Sequence, residues 1–371
     1  MNETILTWLI FLIAFGGMVL IHEFGHFIVA RLCKIEVEEF GIGLPTPGAL
    51  TLFKWQGTRF TLNWLPLGGF VRPKGENDPN VEGGLAAASP WKRLAVLSAG
   101  PLMNLLTAVL IYGFIVARAG VPVPDHIVIT DIIENSPAAS AGIQKGDILL
   151  KGQGQPIQGY EDLRNVIDPN ESNPVVFLVD RNGEQMELTV TPKRSEDDQR
   201  VVIGVYFEEQ YTYQPVTSPI QAIQFGARAT YNSVRILISL PAQLLRGSLP
   251  AEQSRLIGLK GIYDIMQQSV ARDVEASRAP SPASTSNPFE QMRTLSLIAS
   301  LSISLGIFNL FPFPALDGGR ILFLLPELVF RRRVPHQLEN LVHGMGMAFL
   351  LLLMIYINVM DFINPISFTI P

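Results

Sequence analysis

The run Ile5–Ala30 is almost wholly apolar, yet it carries His22-Glu23-Phe24-Gly25-His26. At about 1.5 Å rise per residue, a helix of this length crosses a hydrocarbon core of about 30 Å. Each ionisable side chain inside such a span costs at least a few kcal/mol, so three in a row need a chemical purpose. On a helix, His22 and His26 stand four residues apart and project from one face, one turn from each other. Two neutral imidazoles placed this way hold zinc, and Glu23, one position round, reaches a water beside the metal as general base. The plain alternative, two packing histidines and a snorkelling glutamate, suits a soluble helix better than an apolar span.

Length alone, 371 residues, would suggest two or three domains. Composition overrides that. Only 16% of residues are charged and the mean hydropathy is +0.28, the balance of an integral membrane protein whose solvent is a lipid bilayer. No basic tract interleaved with aromatics invites nucleic acid. A single cysteine, Cys33, leaves no intrachain disulfide. The first span lacks a basic leader and is too long for a signal-peptide core, so it is read as retained.

Four segments meet the length rule: Ile5–Ala30, roughly Leu94–Ala117 with a Gly100-Pro101 break and an intramembrane Asn104, roughly Leu295–Leu316, and roughly Leu338–Met360. Thr230–Leu245 is weaker, interrupted by Arg235 and Pro241, and reads as an amphipathic helix lying on the membrane surface. Lys and Arg crowd the connection after the first span (Arg31, Lys34, Lys54, Arg59, Arg72, Lys74, Lys92, Arg93) and that after the third (Arg320, Arg331, Arg332, Arg333). The positive-inside rule makes these connections cytoplasmic and places both termini and the region between Arg118 and Arg293 outside. That region opens as a β-rich module, with strand-like HIVITDII, PVVFLVD and EQMELTVTP and a hairpin turn at Arg181-Asn182-Gly183-Glu184. Short helices are expected after Ser136 and over Tyr160–Ile167. Asp273–Pro288 is rich in Pro, Ser and Ala and reads as a flexible loop. Leu50–Lys74 alternates aromatic and β-branched runs with glycine, as a hairpin or small sheet would.

A catalytic zinc needs a third protein ligand. The third span ends in Asn309-Leu310-Phe311-Pro312-Phe313-Pro314-Ala315-Leu316-Asp317-Gly318-Gly319. Two prolines break the helix just before Asp317, and irregular backbone at membrane depth is tolerated where it lines a cavity. Asp317 is therefore the candidate third ligand, with a role as N-cap of the next helix as the alternative. His126 begins a strand in the outer module, and His336 and His343 fall in or near the fourth span without an acidic companion; of these only His343 lies inside that span.

The HExxH box at His22–His26 together with NLFPFPALDGG resembles the site-2 protease family of intramembrane metalloproteases. Ala99-Gly100-Pro101 with Asn104 is similar to that family's second-span pattern, and Gly68-Gly69-Phe70-Val71-Arg72 to the hairpin before it. Asn135–Ala139, Gly146-Asp147-Ile148 and Gly152–Pro156 resemble a bacterial PDZ domain. The best match is the bacterial regulator of sigma-E protease type in its single-PDZ form. Three departures stand out, one of them the Pro/Ser-rich insert at Asp273–Pro288, which matches no part of the family's pattern. The family's Gly-Pro-x-Gly-Ile element is Gly258-Leu259-Lys260-Gly261-Ile262 here, and no Gly-Leu-Gly-Phe-type carboxylate loop precedes His126.

The resemblance implies a polytopic α-helical membrane protein with four transmembrane helices, one inserted α+β PDZ-like domain and a membrane-associated β-hairpin. Its parts would be residues 1–117 (first span, hairpin, second span), 118–210 (PDZ-like domain), 211–294 (amphipathic helix and loop) and 295–371 (third and fourth spans). It implies a zinc endopeptidase, one Zn2+ per chain, in the bacterial inner membrane. The substrates would be single-span membrane proteins such as anti-sigma factors or signal-peptide remnants, trimmed first by another protease. His22, His26 and Asp317 would hold zinc and Glu23 would act as base. Asn309, Gly68, Gly69 and Phe70 would meet the substrate, whose unwound backbone would add as a strand beside Thr58–Arg72, with the N–H of Thr61 or Phe70 facing it. The PDZ-like domain would bind a peptide or protein, or exclude bulky ectodomains. A non-catalytic PDZ adaptor would show a damaged metal box, and a transporter would show internal repeats; neither feature is present.

Overall fold

The computed structural model describes residues 3–364 except 77, 196–199, 246–255 and 279–291. The chain divides into two compact units, Met1–Arg118 with Thr217–Pro371, and Ala119–Val216. In the first unit, α1 (Glu3–Leu32) is followed by β1 (Val37–Leu44), β2 (Leu50–Trp55), β3 (Thr58–Leu62) and β4 (Leu65–Pro73), then α2 (Pro90–Ala119). The four strands form one sheet in the order β2-β3-β1-β4.

This order corrects the expected Thr58–Arg72 hairpin. The hairpin is β2–β3, closed at Gln56-Gly57 with φ of 47° and 86°, and β1 lies between β3 and β4. Strand β1 escapes sequence reading because Glu38-Glu39 and Gly41 spoil any apolar alternation. Its Glu39 is nonetheless buried, accepting from Thr61 Oγ1 at 2.8 Å and pairing with Arg59 and Arg72. Thr61 is thus on an inner strand, opposite Thr51 on one side and Gly41 on the other. Phe70 pairs with Gly41, while the N–H of the next residue, Val71, turns away to Glu23. Alternation along an antiparallel ladder therefore directs the Phe70 N–H into the sheet. Neither Thr61 nor Phe70 offers an N–H to an added strand. Phe27, Phe40, Ile35, Val37, Leu85 and Val96 bury the sheet against the ends of α1 and α2. The expected break at Gly100-Pro101 is absent: α2 runs through Pro101 without interruption.

The inserted unit contains β5 (Val121–Ile132), α3 (Pro137–Ala141), β6 (Ile148–Gly152), β7 (Gln155–Pro156), α4 (Tyr160–Ile167), β8 (Val175–Arg181), β9 (Glu184–Val190), β10 (Lys193–Arg194), β11 (Val201–Val202) and β12 (Val205–Gln214). Its main sheet has the order β12-β5-β6-β8-β9. The Asn182-Gly183 turn joins β8 to β9 with φ of 55° and 89°, as a type I′ hairpin requires. Ser136 caps α3, its Oγ accepting the Ala139 N–H. Ile127, Ile129, Leu149, Phe177, Val179 and Leu163 fill the core.

The chain then returns through α5 (Pro219–Leu245), α6 (Leu259–Arg278), α7 (Arg293–Leu310), α8 (Asp317–Phe330) and α9 (His336–Ile363). Helices α1, α2, α7 and α9 are long and apolar enough to cross a membrane. The helix expected over Thr230–Leu245 is the second part of α5, which packs against α2 and α7. A Cβ on Gly226 would lie 2.2 Å from the Val109 carbonyl oxygen, and Val234 and Leu237 pack with Ala108, Ala299, Ile303 and Ile307. The loop expected over Asp273–Pro288 is corrected at its start. Asp273–Arg278 is the last part of α6, and the remainder lies outside the described residues. The Gly258–Ile262 element opens α6 without its family proline. The buried Asp361 of α9 accepts the Gly258 and Gly261 N–H groups at 2.8 and 3.2 Å.

Candidate metal centre

Three chain segments converge near the C-terminal end of α1. His22 and His26 leave that helix on one face, their Nε2 atoms 3.1 Å apart. Asp317, the first residue of α8, brings its Oδ2 to 3.1 Å from His22 Nε2 and 3.4 Å from His26 Nε2. Two ligands bound tetrahedrally at zinc distances of 2.0–2.1 Å lie roughly 3.3 Å apart, so this triangle has the size of one face of a zinc tetrahedron.

The surroundings leave the Nε2 lone pairs for a metal. His26 Nδ1 donates to the Val96 carbonyl at 2.7 Å, which keeps the Nε2 lone pair free. His22 Nδ1 lies 3.3 Å from the Asn104 amide nitrogen, and the amide oxygen is buried without a partner among the described residues. With the amide turned over, that oxygen accepts the Nδ1–H of His22 and leaves its Nε2 lone pair for a metal. Gly100 lets α2 come this close: a Cβ there would fall 2.4 Å from His26 Nε2 and 2.7 Å from His22 Nε2. The histidines, the carboxylate and the close-packed glycine fit zinc.

The ligand loop is set by proline and glycine. Pro312 and Pro314 cannot donate to the preceding turn, so α7 stops at Leu310, earlier than the expected Leu316. Gly318 then allows α8 to start against the loop, since a Cβ would meet the Phe311 and Leu310 carbonyl oxygens at 2.2 and 2.3 Å.

A cavity of about 470 Å3 opens onto this triangle. Glu23, Phe70, Val71, Asn309 and Arg320 are among its lining residues. Glu23 Oε2 accepts the Val71 N–H at 3.0 Å, so an edge strand orients the candidate base. Arg320 pairs with Glu76, which also lines the cavity. Gly68 and Gly69 are packing residues in this structure: a Cβ on them would press on Val19 and Leu20 of α1, each at 3.1 Å. Sequence reasoning missed the Val71 N–H, the Val96 carbonyl and Arg320. Backbone partners leave no trace in side-chain identity, and Arg320 was counted only as a topology signal.

Residues 10–353 match Peptidase family M50. The chain belongs to that family. It is 32% identical to a Clostridium perfringens protein provisionally named a zinc metalloprotease, over 96% of this chain and 98% of the relative. It is 27% identical to the metalloprotease MmpA of Caulobacter vibrioides, over 91% of each chain. It is 25% identical to the regulator of sigma-W protease RasP of Bacillus subtilis, over 95% of this chain and 97% of the relative. The PDZ domain of a Listeria monocytogenes protein aligns with 22% of this chain and 87% of its own, at 13% identity and a TM-score of 0.21. The protein is an intramembrane zinc metalloprotease.

Proposed function

We propose that this M50 peptidase cleaves single-span proteins within the bacterial inner membrane, with His22, His26 and Asp317 holding one zinc per chain. The observation that carries the reading is the 3.1–3.4 Å triangle of Nε2 and Oδ2 atoms beside Glu23. Zinc, when bound, polarises the scissile carbonyl and lowers the pKa of water toward 7. Glu23 takes a proton from the attacking water and returns it to the leaving amine nitrogen. The Val71 N–H holds the Glu23 carboxylate on the cavity side. Asn309 donates its amide to the substrate carbonyl or backbone.

A helical substrate must unwind before its peptide bond is exposed, and its freed backbone groups need partners. Strand addition at the β4 edge supplies them. The support is that β4 is an edge strand of its sheet and that Phe70, Val71 and Pro73 line the cavity. In this reading Phe70 walls the substrate channel, and Gly68 and Gly69 serve by seating β4 on α1. The domain layout follows as residues 1–117, 118–210, 211–294 and 295–371. Both termini and the PDZ-like domain are extracytoplasmic, the latter a filter against untrimmed ectodomains. Substrates of this kind include anti-sigma factors and signal-peptide remnants.

The test uses purified full-length protein and a membrane-embedded substrate. About one zinc per chain is expected, lost in His22→Ala. Glu23→Gln should keep the metal and lose cleavage, so full cleavage by Glu23→Gln overturns the mechanism. In cells, a cysteine at Asn182 should label from outside and one at Arg332 should not; the reverse overturns the topology.

A further inference from the structure

His343 is a polar side chain in the N-terminal third of the long, largely apolar helix α9, and the metal centre described above makes no direct use of it. Its Nδ1 accepts the Ala315 N–H at 2.8 Å. Its Nε2 is buried with no partner among the described residues, and its ring lies 5.5 Å from Phe323 of α8. The polarity of this imidazole is therefore directed at one backbone group, two residues before Asp317. Polar groups in an apolar span are costly, and one that contacts a single loop amide points to a role in that loop.

Ala315 needs such a partner. Its φ is +81°, in the left-handed region that a residue with a Cβ adopts only when its surroundings impose it. Pro312 and Pro314 on the same segment carry no N–H, so the loop has few donors with which to anchor itself. Helix α9 holds it at neighbouring points on one face. A Cβ on Gly346 would fall 2.5 Å from Pro314 Cβ and 2.6 Å from its carbonyl oxygen, and Phe349 packs on Phe313 with ring centroids 5.8 Å apart. His343 supplies the polar contact of this clamp, at the residue where the chain turns toward Asp317.

We infer that His343 is a positioning residue for the metal centre: by accepting the Ala315 N–H it locks the strained turn that carries Asp317 to the two histidines. It touches neither metal nor substrate. The inference rests on the reading of His22, His26 and Asp317 as the zinc ligands, and its effect should fall on metal affinity and turnover rather than on substrate capture. Partners one shell beyond a metal ligand typically change metal affinity 10- to 100-fold.

The experiment compares full-length His343→Leu, His343→Asn and His343→Gln with wild type, and Gly344→Ala serves as a control because, beyond its own helical turn, no atom of the described residues lies within 4 Å of the added Cβ. In asparagine, Oδ1 is reached by the same bond path as histidine Nδ1, whereas the glutamine oxygen lies one carbon further out. Zinc affinity by chelator competition should fall about ten-fold or more in His343→Leu and His343→Gln and stay within about three-fold of wild type in His343→Asn. For cleavage, kcat should fall about as much, with KM changed less than about two-fold. Hydrogen exchange over residues 311–319 should accelerate in His343→Leu and be restored in His343→Asn, with the rest of α9 unchanged. Equal zinc affinity in wild type and His343→Leu, or His343→Asn no better than His343→Gln, overturns the inference. If wild type binds no zinc, the ligand reading fails, and the exchange comparison still decides whether His343 locks the loop. Unchanged exchange overturns that part as well.

Discussion

Asp147 and Asp317 are both carboxylates withdrawn from water, and their partners differ in kind. In the inserted unit, Asp147 is fully buried and receives Arg181 Nε and Nη2, each at 2.7 Å, and the Gln144 N–H at 2.8 Å. A guanidinium fork neutralises it completely, leaving no room for another cation. In the membrane unit, Asp317 faces two imidazole nitrogens whose other ring atoms are held by α2, and a cavity opens beside them. A buried acid closed by its own arginine is architecture. A buried acid that converges with neutral donors on a common point is a cation site.

Substituting each carboxylate tests the distinction most strongly. Asp317→Ala should abolish zinc binding, measured by metal analysis of purified protein, and reduce cleavage at least about a thousand-fold, while the inserted unit keeps its fold. Asp147→Asn should do the opposite, leaving zinc content unchanged while destabilising the inserted unit by about 3 kcal/mol, because Arg181 loses its charge partner. Loss of zinc in Asp147→Asn would erase the contrast.

Gly100→Ala probes how closely the metal centre is packed. Its added methyl group would fall 2.4 and 2.7 Å from the two Nε2 atoms. Zinc affinity should drop about ten-fold or more, and an unchanged affinity would show that α2 yields without cost.

The acid dependence of the inserted unit is smaller and carries a definite sign. Burial alone would lift the pKa of Asp147, but the Arg181 hydrogen bonds and charge and the Gln144 N–H outweigh it and hold it below the usual carboxylate value. A folded-state pKa depressed in this way adds stability that is fully present above the unfolded value of about 3.9 and is lost as pH falls through the folded value. Melting curves of wild type and Asp147→Asn should therefore be well separated at about pH 5.5 and converge below about pH 4. A gap that widens on acidification would contradict the pairing. The smallest effect expected is that of Ser136→Ala, which removes the side-chain cap on α3 and should cost the inserted unit about 1 kcal/mol by thermal melting.

The two units also differ in how much of them can be read from the chain. The inserted unit is built from local signals: the Asn182-Gly183 turn, the Ser136 cap and helix α4 at Tyr160–Ile167 stand where the residues indicate. Its long edge strand β12 was missed because it pairs with β5, far earlier in the chain. In the membrane unit the spans were legible from apolar length, and their ends were not. Polar residues enter α1 and α2 at both margins, and the prolines end α7 before the apolar run is over. Strand β1 and the place of α5 depended on partners distant in sequence. A buried Glu39 on a strand, or a helix seated through Gly226, has no local signature.

Taken alone, the sequence determined what chemistry can be present: two histidines at helical spacing with a glutamate between them, and an acid released from a helix by two prolines, all within segments that water does not solvate. These are consequences of side-chain pKa, helix pitch and the missing proline N–H, each a property of a few neighbouring residues. Only the tertiary structure decided how those groups meet. It brought Asp317 to within 3.1–3.4 Å of two rings on another helix, turned the Val71 N–H onto Glu23 and set His343 against the Ala315 N–H. These contacts join segments that sequence periodicity cannot relate, and two of the three use backbone N–H groups, which every residue but proline carries alike.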